Sequence, residues 1–268
     1  MNASEIVGFS SSVLIGVSLG LIGGGGSILT LPVLVYLLNV NPVLSTAYSL
    51  FVVGTTSLVG SASYMKKRLV NYRAALVFAI PSFISVFLTR KYLVPAIPDP
   101  ILHLGGFAIS KNVGIMVFFA LIMLAASYSM IKSKQEEKTD DEQVLTFNYP
   151  MIALEGGLVG ILTGIVGAGG GFLIIPALVL FAKLPMKSAV GTSLLIIAAK
   201  SLIGFLGDLS NLEVDWVFLF EFTTLSVVGI FVGSYLSRFV TGAKLKKSFG
   251  WFVLAMGAYI IIKELILK

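Results

Sequence analysis

Inside an apolar stretch covering about residues 6–38, the chain places four glycines in a row, Gly23-Gly24-Gly25-Gly26, followed by Ser27. Each glycine in a helix interior costs roughly 1 kcal/mol against alanine, so a helix is expected to break here. Yet the flanks are too hydrophobic for a surface loop. The chain repeats the device: Gly167-Ala168-Gly169-Gly170-Gly171 interrupts a second apolar stretch at about 151–181. In hydrocarbon, backbone leaves the helix only where protein or a water-filled cavity satisfies its polar groups. Two glycine breaks at matching places in two halves point to a binding site of the transporter kind.

Composition agrees with a membrane setting. Of 268 residues, 57% are hydrophobic and 12% charged, and the mean hydropathy is +0.99; a soluble domain carries about twice that charge fraction. Several runs approach the ~20 apolar residues that cross a bilayer, so an all-α polytopic membrane protein is expected. Residues 1–12 hold Glu5 and no basic residue, so a cleavable signal peptide is not expected. The absence of cysteine excludes thiol chemistry, and the single histidine, His103, leaves no histidine-cluster metal centre. The net charge of +6 sits mostly in connecting segments, where it bears on topology and contact with anionic lipid. No nucleic-acid motif is present.

Self-alignment at one offset of 144 residues lays Gly16, Gly20, Gly23, Gly25, Gly26, Leu29 and Pro32 on Gly160, Gly164, Gly167, Gly169, Gly170, Leu173 and Pro176. The register continues through Ser49-Leu50 on Ser193-Leu194, Gly60 on Gly204, and Asn71-Tyr72 on Asp215-Trp216. Apolar composition alone would match leucines and valines, not glycine, proline and serine in one register, so the chain is an internal duplication. Residues 1–131 form the first repeat, a charged linker covers 132–149, and 150–268 form the second. Each repeat reads as a glycine-broken segment followed by three spans, at about 43–65, 72–93 and 107–131, then 187–207, 216–239 and 249–267.

Basic residues in short loops orient such a chain. Lys66-Lys67-Arg68 with Arg73 should be cytoplasmic, whereas the equivalent connection holds Asp208, Glu213 and Asp215 without a basic residue. Lys183 with Lys187, and Arg238 with Lys244, Lys246 and Lys247, mark two further cytoplasmic connections. Equivalent loops then fall on opposite sides, so the repeats are expected to be inverted, each glycine-broken segment forming a hairpin that enters and leaves on one side. Arg90-Lys91 would then lie outside, against the usual bias. The alternative is four full spans per half and parallel repeats.

The motifs Gly20-x-x-Gly23-Gly24-Gly25-Gly26 and Gly164-x-x-Gly167-x-Gly169-Gly170-Gly171, each followed by an apolar stretch and a proline, resemble the TauE/SafE sulfite-exporter family. So do Ser45-Thr46-Ala47-x-Ser49-Leu50-Phe51 and Ala189-Val190-Gly191-Thr192-Ser193-Leu194. The resemblance covers both halves and implies a bacterial-type inner-membrane carrier for small sulfur-containing anions such as sulfite, sulfoacetate or other organosulfonates. Residues 92–111, with prolines 95, 98 and 100, match no pattern of that family.

A helix restarting after a glycine break exposes unpaired N–H groups and a positive dipole end, and glycine lets a small oxyanion approach them. Gly24, Gly25, Gly26 and Ser27, with Gly169, Gly170 and Gly171, are therefore candidate substrate contacts. The competing reading is that these glycines serve only tight helix packing. Lys200 lies midway along its span, where an ionisable group faces a cavity or a partner. Its helix face reads Ser193, Lys200, Gly204, and the equivalent face reads Ser49, Thr56, Gly60, so one charge breaks the repeat. Lys200 could neutralise the anion or pair with Glu221 at similar depth. Glu221 and Glu155 are the candidates for coupling to an ion gradient.

No phosphate loop, paired-carboxylate motif or metal ligand set supports an enzyme or a cofactor. The expected function is a secondary transporter working by alternating access of its repeats. The alternatives are an anion channel, a carrier for another small organic acid, or a non-transporting membrane subunit.

Overall fold

The computed structural model describes residues 3–24, 26–104, 107–132, 149–166, 171–180, 182, 184–209 and 212–265. The first repeat opens with α1 (Ala3–Ile22), then α2 (Gly26–Pro32), which runs on through a widened π-helical turn, Val33–Leu37, after Pro32, a residue with no N–H to give the ladder. It continues with α3 (Pro42–Lys66) and α4 (Tyr72–Leu88), the latter passing through a second π-helical turn, Thr89–Leu93, into α5 (Val94–Ala96). A short hairpin of β1 (Leu102–Leu104) and β2 (Phe107–Ile109) precedes α6 (Lys111–Lys132). The second repeat holds α7 (Tyr149–Val166), α8 (Gly171–Leu180), α9 (Met186–Asp208), α10 (Trp216–Leu236) and α11 (Gly242–Leu265). Most of the linker, residues 133–148, lies outside the described residues. Among the described residues, five helices are long and apolar enough to cross a membrane: α3, α4 with α5, α6, α9 and α10. The chain is a multi-pass membrane protein.

The first glycine break turns the chain back on itself. Gly23 takes a φ of +77°, a left-handed conformation that glycine adopts without steric cost. The returning arm packs against α1, with Gly26 on the backbone of Ile15 beside Leu19, and Leu38 against Gly8. The expected hairpin is what this segment forms.

The repeat relation holds down to single hydrogen bonds. Leu38 N donates to Val33 O at 3.2 Å and Val40 N to Leu34 O at 2.9 Å; 144 residues on, Ala182 N donates to Ala177 O at 3.4 Å and Leu184 N to Leu178 O at 3.0 Å. Asn71 Oδ1 accepts from Ala74 N and caps α4, as Asp215 Oδ1 accepts from Phe218 N and caps α10. The two repeats also exchange contacts. Asn71 N donates to Thr192 Oγ1 at 2.9 Å, and Asp215 N donates to the Tyr48 hydroxyl at 2.7 Å, Tyr48 and Thr192 being counterparts.

Helix packing follows the same rule. The first helix of each repeat packs on the third long helix of the other, α1 on α10 and α7 on α4, while α3 packs on α9 and α6 on α11. Gly16 and Gly20 lie on the backbone of Ser226 and Ile230, and their counterparts Gly160 and Gly164 lie on Ser82 and Thr89. A methyl at Gly20 would come within 2.5 Å of Ile230 O. Small residues let membrane helices approach this closely, and many of the glycines serve that purpose.

The first repeat carries extra chain between α4 and α6, which is why 92–111 finds no counterpart. The third span begins at Lys111 rather than at 107, because Phe107–Ile109 pair as a strand with Leu102–Leu104. Asp99 Oδ1 accepts from Lys111 N at 3.1 Å, and Lys111 Nζ donates to Val94 O at 2.6 Å, tying the insertion to the start of α6.

Candidate functional site

The two glycine breaks meet inside the molecule. Gly24 and Gly171 touch backbone to backbone, and a Cβ built on Gly171 would come within 2.5 Å of both Gly24 Cα and Ile197 Cδ1. Gly25, Gly169 and Gly170 lie outside the described residues. Helix α9 lines this junction with one face. Ser193 Oγ lies 3.4 Å from Gly23 O, Ile197 abuts Gly171, and Lys200 follows at the next turn. These three residues span about 10 Å of helix.

Lys200 is 1% exposed, and its Nζ donates to Thr163 Oγ1 at 2.9 Å. Thr163 in turn donates to Gly160 O at 3.3 Å, one turn ahead of the second glycine break. The expected alternative pairing with Glu221 does not form: Glu221 lies exposed on α10. Lys200 makes no ion pair among the described residues. A buried cation with one neutral partner is costly unless a negative charge visits it.

On α3, the counterparts Ser49 and Thr56 are fully buried. Their hydroxyls, with those of Ser57 and Ser201, find no hydrogen-bond partner among the described residues. Serine and threonine in membrane helices usually bond back to a carbonyl one turn earlier, so unpaired hydroxyls along the α3–α9 pair are donors at hand. Ser27 differs. Its hydroxyl donates to Gly24 O at 2.6 Å and braces the turn of the hairpin. Gly26 packs on Ile15 within the same hairpin. Glu155 is half-buried on α7, about 12 Å along the helix from Thr163, with its Oε1 buried and unpaired.

Sequence reasoning passed over Arg90 and Asp208 as a site. Arg90 sits in the π-helical turn after α4 and is fully buried. Its Nε and Nη2 both donate to Asp208 Oδ2, the former at 2.8 Å, while Nη1 donates to Thr46 Oγ1 at 2.8 Å and Gly164 O at 3.2 Å. Arg90 is thus no loop charge, and it no longer counts against the inverted arrangement. Its counterpart is Ser234, and that of Asp208 is Tyr64, whose hydroxyl donates to Gly20 O at 3.0 Å. Gly20 and Gly164 are themselves counterparts. One signal was available: an Arg and an Asp, each near the end of an apolar span, in a chain with few charges.

The family profile described as "Sulfite exporter TauE/SafE" matches residues 8–260. A "probable membrane transporter protein" of Xylella fastidiosa strain 9a5c is 30% identical over 265 residues, covering 96% of this chain and 95% of the relative. The "probable membrane transporter protein YunE" of Bacillus subtilis strain 168 is 27% identical over 233 residues, covering 81% of this chain and 83% of the relative. No solved structure matches. With its family profile spanning nearly the whole length, the chain belongs to the sulfite exporter TauE/SafE family.

Proposed function

We propose that the protein is a secondary membrane transporter for small sulfur-containing anions, sulfite, sulfoacetate or related organosulfonates, working by alternating access of its two repeats. The observation that carries this reading is the meeting of the two hairpins, Gly24 on Gly171, beside the buried Lys200, which makes no ion pair among the described residues. A pyramidal or tetrahedral oxyanion suits such a place. One charge meets Lys200, and several acceptor oxygens meet backbone N–H groups at the start of α8 and the unpaired hydroxyls of Ser49, Thr56, Ser57 and Ser201. Ser193 would hold the Gly23 side of the junction. Glu155 and Glu221 stay the candidates for coupling to an ion gradient, and Glu155 is favoured by its buried, unpaired oxygen.

Uptake of labelled anions into proteoliposomes tests the substrate class. Saturable uptake of sulfite or sulfoacetate well above that of acetate is expected; equal uptake of all three would instead indicate a general carrier of small organic acids.

Alternating access asks for repeats that face opposite ways. The hairpin returns Leu38 to the level of Gly8, so α3 starts on the side where α1 starts. Three crossings by α3, α4 and α6 then bring the second repeat in from the opposite side, in keeping with basic Lys66–Lys67–Arg68 against acidic Glu213 and Asp215. Single cysteines at Lys66 and Glu213 of this cysteine-free chain should react with an impermeant maleimide from opposite sides of the membrane. Labelling of both from one side would refute the inversion.

A further inference from the structure

Lys67, Lys187 and Arg238 come from three separate connections and two repeats, yet they line one cavity of about 380 Å³. All three belong to the connections whose basic residues place them on the cytoplasmic side. Tyr64 and Ser237 add hydroxyls to its wall, and Val190 is part of its lining. Val190 is also the residue packed against Gly23 at the first glycine break. From there Ser193, Ile197 and Lys200 lead along α9 to the junction of the breaks. The cavity is therefore lined both by three cations and by a residue one helical turn from Ser193. Among the described residues, no carboxylate lines it. Burial, and after it the charge of Arg238, hold the Lys67 ammonium below its usual pKa.

The repeat relation gives a second, independent observation. The counterparts of Tyr64, Val190 and Gly20 are Asp208, Thr46 and Gly164, and Arg90 bonds all three. The corresponding place in the other repeat is filled by a buried ion pair, whereas here it is an open cavity lined by cations. Two entrances related by the repeat are thus in opposite conditions, one closed and one open.

We propose that the Lys67–Lys187–Arg238 cavity is a second anion site, the vestibule that gathers the transported oxyanion from the cytoplasmic face and passes it to the glycine junction. This rests on the carrier reading above. The chemistry required, several acceptor oxygens with one or two negative charges, is shared by a free sulfite or sulfonate and by a lipid phosphate. Val190, which lines the cavity and packs against the Gly23 break, assigns the site to the free solute.

The test is sulfite binding to the purified full chain in nanodiscs of zwitterionic lipid. The wild type, Lys187→Gln with Arg238→Gln, and Lys200→Met are compared, with each single glutamine variant alongside. Lys187 and Arg238 are exposed, and the one ring contact, Arg238 over Tyr235 at 5.8 Å, is at the surface, so the paired variant should melt close to the wild type. It should bind sulfite about tenfold more weakly at low salt, and the deficit should shrink at high salt as screening replaces the lost field. Unchanged affinity would overturn the vestibule while leaving the Lys200 site in place. If Lys200→Met binds like the wild type and the paired variant does not, the vestibule stands and the central site falls. In nanodiscs containing phosphatidylglycerol, wild type and paired variant should melt alike. Stabilisation of the wild type alone by that lipid, with sulfite affinity equal in the two, would make the cavity a headgroup site and overturn the proposal.

Discussion

Replacing Arg90 by alanine should lower the stability of the folded protein by about 3–5 kcal/mol, the cost of leaving a buried charge without its partner. Asp208 is buried and accepts both Nε and Nη2 of Arg90, and no other ion pair among the described residues could take over. The same change removes the donors to Thr46 Oγ1 and Gly164 O, so three groups lose a partner together. Asp208→Asn should be milder, because an amide oxygen still accepts from the guanidinium. Arg90→Met combined with Asp208→Leu should recover much of the loss, since both desolvated charges vanish and the volume is refilled. Melting temperatures in detergent for both singles and the double close the cycle. If the double were as unstable as the sum of its singles, the pair would not be coupled and its part in closing that face would be withdrawn.

Lys200→Met should behave in the opposite way, sparing stability and damaging binding. The ammonium leans on a single hydroxyl, and Thr163 keeps its own bond to Gly160 O when the lysine is gone. Nothing charged is left orphaned, so the melting temperature should stay near that of the wild type. Affinity for sulfite should fall by about 1.5–3 kcal/mol, the range of a charge-assisted hydrogen bond, which is roughly ten- to hundredfold in Kd. Lys200→Arg should retain part of the affinity, because the charge persists while its shape and reach change. A methionine variant that binds normally would remove Lys200 from the site.

The repeat was legible because it is written in residue types that hydropathy does not dictate. Glycine, proline and serine kept one register, and the structure uses that register for its caps, Asn71 and Asp215, and for the exit of each hairpin. The depth of Lys200 was legible from its place in an apolar span. Its partner was not, since Glu221 lies at a similar depth but on an exposed face of α10, and α10 is apolar nearly all round, so periodicity does not say which face is which. Arg90 was misplaced for a related reason. Beside Lys91 it resembles a loop pair, but the π-helical turn Thr89–Leu93 buries Arg90 and leaves Lys91 exposed. Which helices of one repeat face those of the other depends on pairings such as Gly16 on Ser226 and Gly160 on Ser82. These pairings have no local signature. The same holds for the cavity, whose three cations read only as markers of topology until the fold gathered them.

Anion uptake into proteoliposomes, wild type beside Lys200→Met, bears most directly on the proposal of a carrier with its site at the junction of the two glycine breaks. The wild type should take up labelled sulfite saturably, and the variant, equally well inserted and equally stable, should fall to the level of empty liposomes at low substrate. Equal uptake by the two proteins, or none by the wild type for any sulfur oxyanion offered, would contradict it.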